Sequence, residues 1–335
     1  MPKIGFVLSH EQFPPTDLLD FGVAAEQAGF DCVWTSDHFH PWQDDEGHAS
    51  QAWITLAALG QRTKLPFGTG VTCPTYRYEP TIVAQAFASL GVLYPGRVFL
   101  GTGSGEAVNE QAATGRWGGY RERVDRLTEA TEIIRRLWSG EWLTFEGRYY
   151  QIPVAHLYDR PSQPIPIYMS GMGPHSAELA GRIADGLVTS AERATTSSEV
   201  RQAWEYGVQS AGKDPKRQEV LAELMVVVGG EAEAREVADK WRFQPHAWDR
   251  FVDVADPRRI ADEAKRTIPV EEAMQLYTVG ETAEPHVRKI VELVRGGVTQ
   301  VYVHSGQSEQ RRVIEFYGRE VLPPVRRELG ISRAA

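Results

Sequence analysis

The chain has 335 residues, 42% of them hydrophobic and 24% charged, with a formal net charge of -9. That length suits one large domain or two small ones and can bury a sizeable core, and the acidic balance argues against a general nucleic-acid partner. Two cysteines, Cys32 and Cys73, are too few for a disulfide framework. With an N-terminus that lacks an apolar signal segment and no run near the roughly 20 apolar residues that span a bilayer, the expected setting is the cytoplasm, without a membrane partner.

In chain order, strand-like and helix-like segments alternate. "KIGFVLS" (3–9) reads as a strand, and 15–29 carries apolar residues at helical spacing and closes on Gly29. A second strand, "FDCVWTS", precedes a helix over 50–63; a third, "LPFGTGVT" (65–72), precedes a helix over 79–94; a fourth is "RVFLGTG" (97–103). Residues 104–165 interrupt the rhythm with a long helix, about 119–138, and a hairpin turning at Glu146-Gly147. The alternation resumes with "IPIYMSG" (165–171), a helix over 174–183, "DGLVTS" (185–190), a helix over about 195–211, and "EVLAELMVVVGG" (219–230). Residues 231–281 hold helices and an irregular stretch, "RFQPHAWDRFVDVADP"; a helix (282–296), the strand "QVYVHS" (300–305) and a terminal helix from about 308 complete the chain.

Eight strands, each followed by a helix or an insertion, predict an α/β fold, a (β/α)8 TIM barrel, with a doubly wound sheet as the alternative. No linker divides the chain, so residues 1–335 read as a single domain with insertions near 104–165 and 231–281.

In such a barrel the site forms where strands end. The polar residues after the strands are His10, Glu11 and Gln12; Asp37, His38, His40 and Trp42; Thr72, Cys73 and Pro74; Gly103, Gly105, Glu106 and Asn109; Gly171, Met172 and Gly173; Thr189, Ser190 and Arg193; and His304 and Ser305. His38 and Glu106, from different strands, supply a base and an acid. Asp37, His38 and His40 could be metal ligands, but no spacing matches a standard zinc pattern, and none is assigned. "GTGSGEA" (101–107) departs from the G-x-G-x-x-G fingerprint and reads either as close backbone approach to a planar ligand or as a tight turn. In "SGMGP" (170–174) small residues precede a helix that starts on proline, which reads as an anion site for a cofactor phosphate or as a plain strand-to-helix turn.

"SDHFHPW", "CPTYRYEPTIVAQAFASLGVLYPGRVFLGTGSGEAVNE", "LWSGEWLTFEGRYY" and "SGMGP" resemble, in order and over nearly the whole chain, the luciferase-like barrel superfamily. More narrowly they resemble the coenzyme F420-dependent glucose-6-phosphate dehydrogenase and F420-dependent alcohol dehydrogenase family. The resemblance implies coenzyme F420 as cofactor and hydride transfer from a substrate CH–OH to C5 of the deazaflavin. It implies His38 as the base, Trp42 beside substrate and cofactor, Glu106 as acid towards the cofactor and Glu11 near the reacting centre. Asp37, Gly70, Val71, Thr72, Cys73, Asn109, Gly171, Met172 and Gly173 would contact the cofactor, with a non-proline cis peptide at Gly70–Val71.

Ser190, Arg193 and Gln275 would contact substrate. Arg193 matches one of three cations that bind substrate phosphate in the glucose-6-phosphate enzymes. Gln275 and a position near Ala261 or Asp262 stand where the other two are expected, with Lys265 and Arg266 close by. A phosphate deprived of its cations loses strong charge-assisted bonds, so a sugar phosphate, a free sugar or a secondary alcohol remain open as substrate. An FMN- or F420-dependent reductase or monooxygenase acting on another substrate and a non-catalytic deazaflavin carrier are the alternatives. A homodimer is expected from the family.

Overall fold

The computed structural model describes residues 1–331. Among the described residues, eleven strands run as β1 (Lys3–Leu8), β2 (Cys32–Thr35), β3 (Phe67–Thr69), β4 (Val98–Thr102), β5 (Leu143–Glu146), β6 (Gln151–Ala155), β7 (Ile167–Ser170), β8 (Gly186–Ser190), β9 (Glu219–Val228), β10 (Thr278–Gly280) and β11 (Gln300–Ser305). The helices are α1 (Pro15–Ala28), α2 (Ala52–Arg62), α3 (Pro80–Leu93), α4 (Glu110–Thr114), α5 (Tyr120–Trp138), α6 (Pro174–Ile183), α7 (Glu199–Ser210), α8 (Glu231–Lys240), α9 (Pro257–Thr267), α10 (Val270–Met274), α11 (Ala283–Arg295), α12 (Gln310–Phe316) and α13 (Leu322–Leu329).

All main-sheet pairings are parallel. The order is β1-β2-β3-β4-β7-β8-β9-β11, and β11 pairs back onto β1 through Lys3↔Gln300, so the sheet closes into an eight-stranded barrel. Closure excludes the doubly wound alternative. Strand β10 pairs only with the far end of β9, at Thr278↔Val226, and extends the rim there. The outer core packs helices on the barrel's outside, while the interior holds Val7, Cys32, Trp34, Phe99, Tyr168, Val188, Leu221 and Tyr302. Trp34 and Tyr302 stack with centroids 3.8 Å apart, which plugs the barrel below its C-terminal mouth. Cys32 belongs to this interior and its thiol is pushed up to about 12 by burial, so it is an inert core residue.

Three local boundaries differ from the sequence pattern. The third strand stops at Thr69, just ahead of a cis peptide at Gly70–Val71, and contact with β4 resumes only at the Thr72↔Thr102 bridge. Helix α7 starts at Glu199 rather than about 195, because the Ser198 hydroxyl caps it by accepting from Arg201 N at 3.0 Å. The irregular stretch after α8 becomes a 3-10 turn (Gln244–His246) running into a π turn (Ala247–Phe251). It presents Phe243, Ala247 and Trp248 to the barrel mouth.

Candidate active site

A cavity of about 240 Å³ lies over the C-terminal ends of the strands. Val7, Trp34 and Val188, which also belong to the barrel interior, line its floor. It joins a groove of about 290 Å³ through Val71, Glu106, Ser170, Met172 and Trp248, which line both.

The loop after β2 carries the centre of the site. His38 Nδ1 lies 2.9 Å from the His40 carbonyl, which can only accept, so Nδ1 carries a proton. Its Nε2 lies 3.2 Å from Glu11 Oε1, reached from the loop after β1. Ser9 Oγ (3.0 Å) and Ser36 Oγ donate to the other oxygen of Glu11. Burial drives the Glu11 carboxyl upward, but His38 and the Ser36 hydroxyl together hold it below its ordinary value. Glu11 is buried and His38 partly buried, its side chain 11% exposed, and both line the cavity. Trp42 packs beside them, its ring 6.0 Å from that of His38 and stacked on Phe243 at 5.2 Å.

Glu106 stands at the junction of cavity and groove. Asn109 Nδ2 donates to its carboxylate at 3.2 Å, and Asn109 Oδ1 accepts from Phe39 N at 2.8 Å, so one amide ties the acid to the base's loop. Gly70 and Val71 line the cavity, and a Cβ on Gly70 would sit 2.8 Å from the Trp34 ring, so only glycine fits there. Gly103, Ser104 and Gly105 line the groove; Gly105, at φ +90°, allows the turn. Across it stand Gly173 and the first turn of α6, where Pro174 opens the helix and the next N–H groups have no intrahelical acceptor.

Several expected contacts lie behind the wall rather than on it. Asp37 accepts from Thr72 Oγ1 (2.6 Å), Trp53 Nε1 (3.1 Å), Tyr78 OH (3.2 Å) and Arg77 NH2 (3.1 Å), and does not line the cavity. It locks the loop that carries His38, and Thr72 is consumed in holding it. Cys73 is buried with its thiol raised by burial, and Gly171 packs against Leu187 and Ala177; neither lines cavity or groove. Asn109 likewise acts through Glu106 and Phe39.

Met172, Ser190 and Arg193 do line the cavity, and Arg193 NH1 lies 3.3 Å from Ser190 Oγ. Gln275 is a correction: it is the exposed residue that caps α10, between buried Ala273 and Tyr277, and its neighbour Leu276 lines the cavity instead. Lys265 pairs with Asp45 at 3.2 Å and lies outside the cavity. His10 is a structural residue, its Nδ1 2.8 Å from the Ser50 carbonyl, its basicity lowered by burial.

The sequence patterns missed two groups. Met225, Trp241, Phe243, Ala247, Trp248 and Leu276 form an apolar wall. Glu223 joins the lining from within β9, where an acid in the middle of a mostly apolar strand was the available signal. In total Glu11, Glu106, Glu192 and Glu223 face the cavity with Arg193 as the single Lys or Arg among the described residues lining it. The groove instead offers Arg123 and the α6 N-terminus.

Residues 2–300 match the luciferase-like monooxygenase family. An F420-dependent hydroxymycolic acid dehydrogenase of Mycobacterium tuberculosis is 46% identical over 96% of this chain and 88% of its own length. An F420-dependent glucose-6-phosphate dehydrogenase of Microbacterium testaceum is 40% identical over 97% and 98%. The solved structure of an F420-dependent secondary alcohol dehydrogenase, in complex with an F420-acetone adduct, superposes with a TM-score of 0.90 at 34% identity over 97% of this chain and 99% of that one. The chain therefore belongs to the luciferase-like monooxygenase family, among relatives that are F420-dependent dehydrogenases.

Proposed function

We propose that the protein is an F420-dependent dehydrogenase that oxidises a neutral, apolar-flanked secondary alcohol. The charge of the cavity carries this reading. Four carboxylates against one guanidinium repel a phosphate dianion, while six apolar or aromatic side chains on one wall favour a hydrocarbon chain. The relatives named above act on alcohols of both kinds, and the cavity's charge selects between them.

The residues present fit a deazaflavin. The backbone at Gly70–Val71 and Met172 offers a flat apolar wall, and the groove, with the α6 N-terminus and Arg123, suits an anionic tail. The bound cofactor supplies the hydride acceptor, and the chain supplies orientation and proton transfer. His38 takes the hydroxyl proton at Nε2. Glu11 stabilises the imidazolium so formed. Trp42 and Phe243 keep water off the reacting carbon, and Glu106, at the junction of cavity and groove, relays a proton towards the cofactor. The protein works as a cytoplasmic homodimer; a monomeric mass by light scattering would remove the dimer.

The test mixes purified protein with oxidised F420 and follows loss of the cofactor's visible absorbance with secondary alkanols and with glucose 6-phosphate. The expected outcome is kcat/KM at least about tenfold higher for an alkanol, the scale of one lost charge-assisted contact. A preference for glucose 6-phosphate would overturn the substrate class, and no bleaching with any alcohol would overturn the dehydrogenase reading.

A further inference from the structure

On the wall formed by β9 and β11, the cavity contains a second His–Glu pair that the proton transfer leaves unused. His304 is 7% exposed, and its Nδ1 lies 2.8 Å from Glu223 Oε1. Strand pairing brings them together: Tyr302 is level with Glu223 and His304 with Met225. Both residues line the cavity that holds His38 and Glu11. His304 Nε2 is buried and has no hydrogen-bond partner. The Trp241 ring stands edge-on to the imidazole at 5.3 Å and 87°, and its buried indole N–H is also unpartnered. Buried polar atoms are nearly always paired in folded proteins, so two orphans on the wall of one cavity point to a ligand.

We propose that His304, held by Glu223 and flanked by Trp241, is a specificity-determining residue that binds a second hydroxyl of the substrate. The chemistry follows from the proton on Nδ1. A carboxylate can only accept, so Nδ1 donates to Glu223 and the neutral ring presents Nε2 as an acceptor. If the ring is protonated, Nε2 becomes a donor. A hydroxyl satisfies either state, and it can also accept from the Trp241 N–H. An anion is disfavoured by Glu223 and Glu11, and an alkyl group would leave Nε2 unpaired. The substrate class therefore narrows from a secondary alcohol to one carrying a further hydroxyl, such as a diol or a hydroxylated chain. The inference rests on the dehydrogenase reading for its turnover assay, but its binding assay does not.

The experiment compares secondary diols, their hydroxyls separated by one, two or three carbons, with the matching mono-alcohol. In cofactor-free protein labelled with 15N-histidine, the ring signals of His304 are assigned by their absence in His304→Phe. The expected result is a shift of the Nε2 signal on adding at least one diol and none with the mono-alcohol. In the F420 assay that diol should exceed the mono-alcohol about tenfold or more in kcat/KM, through KM rather than kcat. His304→Phe and Glu223→Leu should collapse the ratio towards unity, and His304→Gln, which keeps a polar group, should recover part of it. Equal kcat/KM for all alcohols with no ring shift would overturn the proposal. A diol-specific ring shift in a protein that bleaches F420 with no alcohol would support the subsite and overturn the dehydrogenase reading instead.

Discussion

The His38–Glu11 pair makes a quantitative demand on catalysis. His38 already uses its Nδ1 proton on the His40 carbonyl, so the form that can accept a substrate proton has a bare Nε2 facing an ionised Glu11 3.2 Å away. When the hydroxyl proton arrives, an imidazolium appears beside a carboxylate, and the attraction is gained only as the proton transfers. At that separation and an effective dielectric of about 20, the gross Coulomb term is roughly 5 kcal/mol. If about 3–4 kcal/mol survives as differential stabilisation, Glu11→Gln lowers kcat by roughly 10²–10³-fold. Glutamine keeps the size and can accept from Ser9 and Ser36, so cofactor affinity should hold. The assay is single-turnover loss of F420 absorbance at saturating alcohol, over a range of pH. A variant whose kcat stays within about threefold of wild type across that range would refute the argument.

Three further outcomes are expected. Glu46 is buried and its carboxyl is pushed up to about 8, by burial first and then by the negative charge of Glu11. The native state keeps that proton while the unfolded chain releases it near 4.5, so stability falls as pH rises from 4.5 to about 8, by roughly 5 kcal/mol at most. Urea unfolding of Glu46→Gln should thus show a gain over wild type that is larger at pH 8.5 than at 5.5, and an equal change at both would contradict it. His38→Ala should keep F420 affinity and lose about 10²–10⁴-fold in turnover, measured by cofactor titration and steady-state bleaching. Trp248 is 38% exposed and lines both cavity and groove, so Trp248→Ala should raise KM for a long-chain secondary alkanol about tenfold while shifting stability by less than about 1 kcal/mol.

Much of this protein is legible in its sequence because local patterns report local physics. The apolar strands and amphipathic helices set the alternating rhythm, and the strand ends pointed to Glu11, His38, Trp42, Glu106 and Arg193, all of which reach one cavity. Those residues follow strands of a parallel sheet, so their side of the barrel is decided by chain direction alone. Three things needed the tertiary structure. Closure of the sheet between β11 and β1 joins residues almost 300 positions apart, which no periodicity encodes. Whether a polar side chain faces the cavity or the wall depends on its partners: Asp37 turns away because Arg77, Trp53 and Tyr78 converge on it from elsewhere in the chain. The apolar wall comes from irregular turns after α8, where neither helical nor strand spacing applies, and His304 gains its meaning only when β9 and β11 pair and set Glu223 beside it. Chain direction and local pattern put Glu11, His38, Trp42 and Glu106 at the barrel mouth, because each follows a parallel strand; the packing of distant strands and turns decided which groups share a common space, and with what net charge.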